Sequence, residues 1–252
     1  MHTLAVWTIK GGVGKTSASV NLSHAAAASG TRTLLWDLDP QGATSFYLRA
    51  LPRLPGGVDT LLDRSRDLMQ FVQPSEFDNL FLLPADFSYR HLDLALEETS
   101  KPKKVLAKRL RPLAAHFDLV MIDCPPSVSS VSEAVLRAAD TLIVPVIPTT
   151  LSMRTLEQVR TFVAAAGKHQ PRILPFLSMV DRRKRIHLDT SELCLSDGEF
   201  LRTPIPSASV VERMGVTRAP VAATLPSQPA AKAFARLWEE IAERLGIGPG
   251  MS

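Results

Sequence analysis

Short apolar runs recur along the chain and alternate with stretches whose apolar residues have helical spacing. The runs lie at residues 4–8, 33–36, 80–83, 119–122, 142–146 and 173–179. They are too short for helices and apolar on both faces, as the strands of a covered parallel sheet are. Helices are predicted at residues 17–29, 132–139 and 155–166, the first of them capped by Gly30. This alternation predicts an α/β fold with a doubly wound, mostly parallel sheet flanked by helices.

The last predicted helix, residues 230–245, has one apolar stripe and an acidic face. The stripe has three- and four-residue spacing and consists of Phe234, Leu237, Trp238, Ile241 and Leu245. The polar face carries Glu239, Glu240 and Glu243. A helix that lies on anionic lipid is expected to carry lysines or arginines beside its apolar face. The acidic face therefore favours packing on the sheet over binding to a membrane surface.

The composition is that of a globular protein. With 252 residues and 45% hydrophobic content, the chain can bury a sizeable core. Residues 51–57 are interpreted as a loop, so we expect a single domain over residues 1–252. The only cysteines, Cys124 and Cys194, form no closely spaced pair, which argues against a disulfide framework or a zinc site. Neither a basic leader nor a membrane-length apolar run occurs, so a cytoplasmic protein is expected.

The charge distribution is mildly basic. A net charge of +4 permits contact with a polyanion but does not require it. The basic residues cluster in two places, Lys101, Lys103, Lys104, Lys108, Arg109 and Arg111, and then Arg182, Arg183, Lys184 and Arg185.

A glycine-rich loop lies between the first predicted strand and the first predicted helix. Its sequence is Lys10-Gly11-Gly12-Val13-Gly14-Lys15-Thr16, followed by Ser17. The glycines let backbone N–H groups turn towards phosphate oxygens, and the helix N-terminus adds its positive dipole end. Lys15 is expected to reach the β- and γ-phosphates of a nucleotide, and Thr16 to offer its hydroxyl to Mg²⁺. The chain contains no N-K-x-D motif for guanine recognition, which disfavours GTP.

This loop departs from the general pattern G-x-x-x-x-G-K-[ST], because Ile9 stands at the first glycine position and Lys10 follows it. A lysine directly before two glycines is the signature of the deviant Walker A loop, and residues 10–16 resemble the ParA/MinD superfamily of P-loop ATPases. Residues 37–42, DLDPQG, resemble the first switch of that superfamily, and residues 117–127, FDLVMIDCPPS, resemble its Walker B strand and second switch. The resemblance covers about the first half of the chain and implies a P-loop NTPase fold with slow ATP hydrolysis.

The resemblance also implies roles for individual residues. All eight residues from Lys10 to Ser17 would contact ATP, with Lys15 acting in catalysis. Asp123, at the end of a strand, would hold Mg²⁺ through water, and Asp39 would orient the attacking water. Lys10 would reach across a dimer interface and stabilise charge on the partner's phosphates, as an arginine finger does. For Asp37, capping or local pairing is as good an interpretation as a catalytic role.

Two later segments match the places where the superfamily contacts adenine. Met179 lies in the segment 178–181 after a late strand, and Pro206 lies in the segment 203–206. By resemblance both residues would contact the base. Ordinary packing at strand ends is the alternative for each.

Three branches of the superfamily make different predictions. Nitrogenase iron-protein-like members need cluster cysteines, and Cys124 with Cys194 does not supply the pattern. MinD-like members end in a membrane-binding amphipathic helix, against which the acidic last helix and the tail at 246–252 argue. The ParA-like partition ATPases remain. Since only nine residues precede Lys10, we expect no N-terminal helix-turn-helix domain and no autorepression through one.

A ParA-like protein is expected to bind DNA without sequence specificity as an ATP dimer, through several cations that face phosphates. The run Arg182, Arg183, Lys184 and Arg185 is the first candidate, because Arg183 matches a DNA-contacting arginine of the family. A solvated loop is the alternative for this run. A second family arginine falls at Val210 here, so Arg213 or Arg218 would have to replace it. We interpret the cluster at 101–111 as a helical, solvated face rather than a DNA contact.

The resulting hypothesis is a homodimeric switch. Two ATP-loaded subunits would close face to face and grip the nucleoid, and hydrolysis, stimulated by a ParB-like or other adaptor, would separate them. A membrane-associated, MinD-like positioning ATPase without DNA binding is the first alternative. A metabolic enzyme that spends ATP on a small substrate is the second.

Overall fold

Seven strands form one sheet in the computed structural model, which describes residues 1–51, 54–167, 169–196 and 198–248. The strands are β1 (His2–Val6), β2 (Thr33–Asp37), β3 (Gln73–Pro74), β4 (Leu80–Leu83), β5 (Leu119–Asp123), β6 (Thr141–Val146) and β7 (Arg172–Leu177). Their order across the sheet is β3-β4-β2-β5-β1-β6-β7, and every pairing is parallel except that of β3 with β4. The predicted fold class is therefore confirmed. The six predicted strands are present, with ends shifted by no more than two residues, whereas the two-residue edge strand β3 was not predicted.

Helices cover both faces of this sheet. They are α1 (Lys15–Ala28), α2 (Ala43–Tyr47), α3 (Gly57–Leu62), α4 (Leu92–Glu97), α5 (Val105–Leu110), α6 (Ser130–Ala138), α7 (Thr150–Ala165), α8 (Arg185–Ser196), α9 (Ser209–Glu212), α10 (Met214–Thr217), α11 (Val221–Thr224) and α12 (Pro229–Leu245). Short 3-10 turns lie at Leu68–Phe71, Phe87–His91, Pro102–Lys104 and Arg111–Ala115. Within the described residues, no helix has the length and apolar character needed to cross a bilayer.

The predicted end of the first helix is confirmed. Gly30 has a φ of +89°, a left-handed conformation that suits glycine at a helix C-terminus. The N–H groups of Gly30 and Thr31 donate to the carbonyls of Ala27 and Ala26 at 3.0 and 3.1 Å. The chain therefore turns directly from α1 into β2, which places β2 beside the centre of the sheet.

The last helix packs as its apolar stripe predicts. Phe234, Leu237, Trp238 and Ile241 are all buried in the core on the α1 face of the sheet. On the polar face of this helix, Glu240 bonds to a neighbouring loop: its carboxylate accepts from the N–H groups of Arg202 at 2.7 and 2.8 Å and of Thr203 at 3.2 Å. Glu240 therefore ties α12 to the loop after residue 201. Residues 249–252 of the predicted tail lie outside the described residues.

The basic cluster at 101–111 lies on the opposite face of the sheet. It forms a 3-10 turn, the short helix α5 and the start of a second 3-10 turn rather than one helix. Its prediction as a solvated face is wrong for Arg109, which is only 6% exposed and donates from Nη1 to the carbonyl of Arg66 at 2.7 Å. The reason is that α5 turns this side chain inwards along with Leu106 and Leu110. The other five cations of the cluster are exposed, as predicted.

Candidate active site

The carboxyl ends of three adjacent central strands bring the predicted catalytic segments together. In the parallel pairing of β5 with β1 and β2, Asp123 lies opposite Val6 and Asp37. The loop at 10–16 follows β1, and the segment with Asp39 follows β2. Such a crevice at the strand ends is where open α/β sheets bind ligands.

The glycine-rich loop has the backbone conformation of a phosphate cradle. Gly12 and Gly14 have φ values of +70° and +92°, and Gly14 begins α1 without a side-chain cap. A Cβ at Gly14 would lie 3.0 Å from Ser178 Oγ, which itself donates to the carbonyl of Val13 at 2.8 Å. The first-turn N–H groups of α1 are therefore open to an anion. Ser178, the residue after β7, bonds to the loop on its other side.

Lys15 is almost buried at the base of this loop. Its side chain is 8% exposed, and Nζ donates to the carbonyl of Lys10 at 3.2 Å. Burial lowers the pKa of Lys15, while the negative charges of Asp123 and Asp39 act to raise it. A partly desolvated cation in this position interacts strongly with phosphate oxygens, because little water screens it.

Asp123 lies fully buried below the loop. Its Oδ1 accepts from Ser19 Oγ at 3.0 Å, and its Oδ2 accepts from Thr44 Oγ1 at 2.7 Å. Burial raises the pKa of Asp123, and hydrogen bonds from Thr44, Thr16 and Ser19 partly oppose that rise. A buried carboxylate beside the Thr16 hydroxyl is an oxygen donor set that fits Mg²⁺. The positions of Ser19 and Thr44 were not predicted, although Ser19 lies one helical turn after Lys15.

Asp37 and Asp39 have different surroundings. Asp37 is buried and accepts from the N–H and the hydroxyl of Ser45, both at 2.7 Å, so it holds the start of α2. Burial and the nearby charge of Asp123 raise its pKa. Asp39 lies at the rim and accepts from the N–H of Gln41 at 2.9 Å. The geometry favours the local interpretation of Asp37 and leaves Asp39 facing the crevice rim.

The side chain of Lys10 contacts a helix outside the loop. Its Nζ lies 3.4 Å from Ser152 Oγ, and the hydroxyl of Thr149 donates to the same oxygen at 3.1 Å. These two residues form the N-terminus of α7. The Lys10 side chain therefore lies against α7.

A cavity of about 250 Å³ opens beside the loop. The two predicted base segments meet there, because the N–H of Val180 donates to Ile205 and the N–H of Ser207 donates to Val180, both at 3.0 Å. Met179 and Pro206 line the cavity, and Met179 has a left-handed φ of +54°. Tyr47, Glu212 and Phe234 also line it. These three come from distant elements, and no local sequence signal predicts them.

The chain is similar to known proteins over most of its length. The AAA domain family AAA_31 matches residues 1–175. The virulence plasmid ParA family protein pGP5-D of Chlamydia trachomatis is 31% identical over 257 aligned positions, which cover 98% of this chain and 96% of that protein. The chain belongs to the ParA/MinD superfamily of P-loop ATPases. The sporulation initiation inhibitor protein Soj of Bacillus subtilis is 30% identical over 194 positions, 75% of this chain and 77% of Soj.

Several solved structures have the same fold. The structure of apo McdA from Cyanthece has a TM-score of 0.83 at 21% identity and covers 96% of this chain and 99% of its own. Cobyrinic acid a,c-diamide synthase from Mycobacterium smegmatis, with a bound ATP analogue and magnesium, has a TM-score of 0.81 at 25% identity over all of both chains. This ParA-family protein is accordingly an ATPase, with ATP as its nucleotide and Mg²⁺ as its metal.

The predicted DNA-binding residues of this ATPase lie outside the crevice. Arg182, Arg183 and Lys184 form the turn between β7 and α8, Arg185 is the first residue of α8, and Arg213 lies between α9 and α10. All five are exposed. Arg183 donates from Nε and Nη2 to the two carboxylate oxygens of Asp181 at 2.9 and 3.0 Å, and Arg185 pairs with Asp189 at 2.8 Å. Two cations of the predicted run are therefore already paired.

Proposed function

We propose that this ATPase is a dimerising switch that binds DNA non-specifically in its ATP state and partitions or positions a cargo. It works as one domain over residues 1–252. The observation that carries the proposal is Lys10, which directly precedes the cradle of an ATPase similar over 98% of its length to a plasmid ParA family protein. Lys10 is not needed to bind phosphate within its own loop, because Lys15 already supplies a cation there.

Within one protomer, the residues of the crevice divide the work on ATP. The N–H groups of residues 11–16 bind phosphate oxygens, and Ser17 and the cavity walls at Met179 and Pro206 bind the nucleoside. Lys15 neutralises charge on the phosphates. Thr16 and Asp123 hold Mg²⁺, which supplies further charge neutralisation when it is bound. Asp39 orients the attacking water from the crevice rim.

Lys10 acts on the site of a second protomer. The surface around it suits a subunit interface, because the exposed apolar residues Val128 and Leu151 flank the loop. Leu151 adjoins Ser152, the contact of Lys10. Val128 lies two residues after Pro126, whose Cγ lies 4.0 Å from the position of a Cβ at Gly11. Closure of two such faces buries these apolar side chains and brings each Lys10 towards the partner's phosphates.

The ATP dimer binds the nucleoid. An adaptor protein stimulates hydrolysis, which separates the dimer and releases the protein from DNA. The exposed cations of the turn at 182–185 and of Arg213 are available to DNA phosphates. Localisation follows from this: the protein is cytoplasmic and associated with the nucleoid in its ATP state. The relatives named chromosome partitioning protein ParA, from Myxococcus xanthus and Caulobacter vibrioides, support a partition role.

The membrane-associated alternative requires the apolar face of α12 to bind lipid, but in this fold that face packs in the core. The apolar face of α12 is buried, with Phe234, Leu237, Trp238 and Ile241 each 3% exposed or less. Binding of this helix to lipid would expose the core that it covers. The partition function is therefore the better interpretation.

Two binding experiments test the proposal. The protein is incubated with ATP and Mg²⁺. Its binding to duplex DNA of arbitrary sequence is measured by gel shift, and its binding to anionic liposomes by sedimentation. We expect binding to DNA, with ATP and not with ADP, and a dimeric mass in the ATP state. Liposome binding without DNA binding contradicts the proposal. Turnover that a small molecule stimulates, and that DNA and protein leave unchanged, supports the metabolic alternative instead.

A further inference from the structure

A second cleft lies behind the loop that closes the nucleotide cavity. It has a volume of about 540 Å³, and its walls include Arg182, Thr203, Pro206, Lys232 and Arg236. Among the residues that the structure describes, no acidic residue lines it. Arg182 comes from the turn after β7, whereas Lys232 and Arg236 come from the first half of α12. The cleft therefore joins one cation of the predicted DNA-binding run to two cations about 50 residues away in sequence.

The three cations have no carboxylate partners in the part of the chain that the structure describes. No carboxylate oxygen lies within 4.0 Å of the side-chain nitrogens of Arg182, Lys232 or Arg236. All three side chains are exposed. Glu240, four residues after Arg236, is occupied by the N–H groups of Arg202 and Thr203. The positive charges of Arg182, Lys232 and Arg236 therefore face the cleft and solvent.

Two neighbouring cations of the predicted run, by contrast, are paired with carboxylates. Arg183 forms a bidentate pair with Asp181, and Arg185 pairs with Asp189. A phosphate that binds either arginine must compete with an existing carboxylate, so fewer counterions are released and less affinity results. Among the described residues, Arg182 and Lys184 are the members of the run without a carboxylate partner, and of these two only Arg182 lines the cleft with Lys232 and Arg236.

We propose that the backbone of duplex DNA binds this cleft through Arg182, Lys232 and Arg236, which makes α12 part of the DNA-binding surface. This inference rests on the proposed function. Lys232 and Arg236 lie on the same face of α12, about 6 Å apart along its axis. Two cations at this separation can each contact a different phosphate of the DNA backbone.

The chemistry of the cleft favours nucleic acid over lipid. A surface that binds anionic membranes places large apolar side chains next to its cations so that they enter the acyl region. Here the apolar residues of the same helix, Phe234 and Trp238 among them, are buried in the core. The walls between the cations are formed by Thr203, Pro204 and Pro206, which have no such anchor.

The cleft also shares a wall with the nucleotide cavity. Pro206 lines both, and Val180, which lines the cleft, is bonded through its backbone to Ile205 and Ser207 in the cavity wall. Glu240 of α12 fixes the start of the same loop. DNA in the cleft therefore contacts the back of the loop whose front lines the nucleotide cavity.

The test compares two triple variants with the same change of charge. One is Arg182→Gln with Lys232→Gln and Arg236→Gln, and the matched control is Lys101→Gln with Lys104→Gln and Lys108→Gln on the opposite face. The dissociation constant for a 30-base-pair duplex of arbitrary sequence is measured with a non-hydrolysable ATP analogue and Mg²⁺ at 50, 100 and 200 mM salt. Nucleotide affinity without DNA, measured with a fluorescent ATP analogue, reports folding of each variant.

Three phosphate contacts in each protomer of the ATP dimer together contribute about 5.4 to the slope of log affinity against log salt. We expect the cleft variant to lose this slope, which corresponds to about 1,800-fold in affinity over a fourfold range of salt, and to keep its nucleotide affinity. The control should change the slope by less than about one.

The outcomes separate the inference from the proposed function. Equal DNA binding by the cleft variant and the control overturns the inference and leaves the switch function intact. Loss of binding to anionic vesicles but not to DNA in the cleft variant identifies a lipid site and also overturns it. Failure of the unchanged protein to bind DNA in the ATP state contradicts both.

Discussion

Lys10 Nζ lies 3.4 Å from Ser152 Oγ, so the lysine that precedes the phosphate cradle is held at the N-terminus of α7 in one protomer. The contact is long and between a cation and a neutral hydroxyl, which makes it weak and easily exchanged. If a partner's phosphates provide the stronger binding site, Lys10 leaves Ser152 on dimer closure. The two lysines of the loop should therefore have separable functions.

Substitution of each lysine tests this separation. Lys15→Ala should abolish ATP binding, because it removes the buried cation that faces the phosphates. Lys10→Ala should keep most ATP affinity while hydrolysis falls at least about 1,000-fold, as for loss of a charge-stabilising finger. Nucleotide titration and single-turnover hydrolysis measure the two effects.

Ser152→Ala is the control for the position of Lys10. It removes the contact in one protomer and should leave dimer closure unchanged or speed it by up to about tenfold. Equal loss of ATP affinity in the Lys10 and Lys15 variants would show that Lys10 acts within its own protomer.

Asp39→Ala should separate ATP binding from hydrolysis. The half-buried side chain of Asp39 has one hydrogen bond among the described residues, from the N–H of Gln41, so its loss leaves the cradle intact. Turnover should fall about 100-fold or more, as for removal of a group that orients the nucleophile. The dimer should then accumulate with ATP and Mg²⁺, which light scattering after size-exclusion chromatography detects. Asp59→Ala, an exposed carboxylate on α3, is the control, and a variant at position 39 that stays monomeric would exclude the hydrolytic role.

Gly14→Ala should destabilise the fold more than Gly12→Ala. Both glycines have left-handed backbones, which cost an alanine about 1–2 kcal/mol. At Gly14 the added Cβ also lies 3.0 Å from Ser178 Oγ, whereas at Gly12 it meets nothing within 4 Å. Denaturant unfolding of the two variants measures the difference. Equal losses of unfolding free energy would mean that Ser178 moves aside without cost.

His24 should make stability depend on pH. This side chain packs edge-on against Phe77, with ring centroids 4.8 Å apart, and burial lowers its pKa below the usual 6.5. The unfolded chain then binds the proton more readily than the folded one, so the contribution of neutral His24 is complete above about pH 6.5 and is lost as the pH falls below it. His24→Gln should flatten the fall in unfolding free energy on the acid side.

The comparison for this prediction is His116→Gln, which removes an exposed histidine. Chemical denaturation of the unchanged protein and both variants between pH 5 and pH 8 gives the three curves. A His24 variant whose curve runs parallel to that of the unchanged protein would contradict the prediction.

Features that depend on residues close together in the sequence were predictable from it. The strands follow from apolar runs, because a strand buried on both faces needs no polar residue inside it. The cap at Gly30 and the phosphate cradle follow from glycines whose backbone conformations are set over a few residues. For the same reason the edge strand β3, two residues long with no apolar run of its own, was missed.

What the sequence alone determined, therefore, was the order of strands and helices, the glycine cradle and the two lysines of its loop. Only the tertiary structure decided that Ser19 and Thr44 bond to Asp123, that Arg109 is buried, and that Arg182 meets Lys232 and Arg236 around one cleft. The physical reason is that a parallel sheet joins segments far apart in the chain through crossover helices. Their side chains meet at positions set by the packing of whole elements, which no local pattern of residues contains.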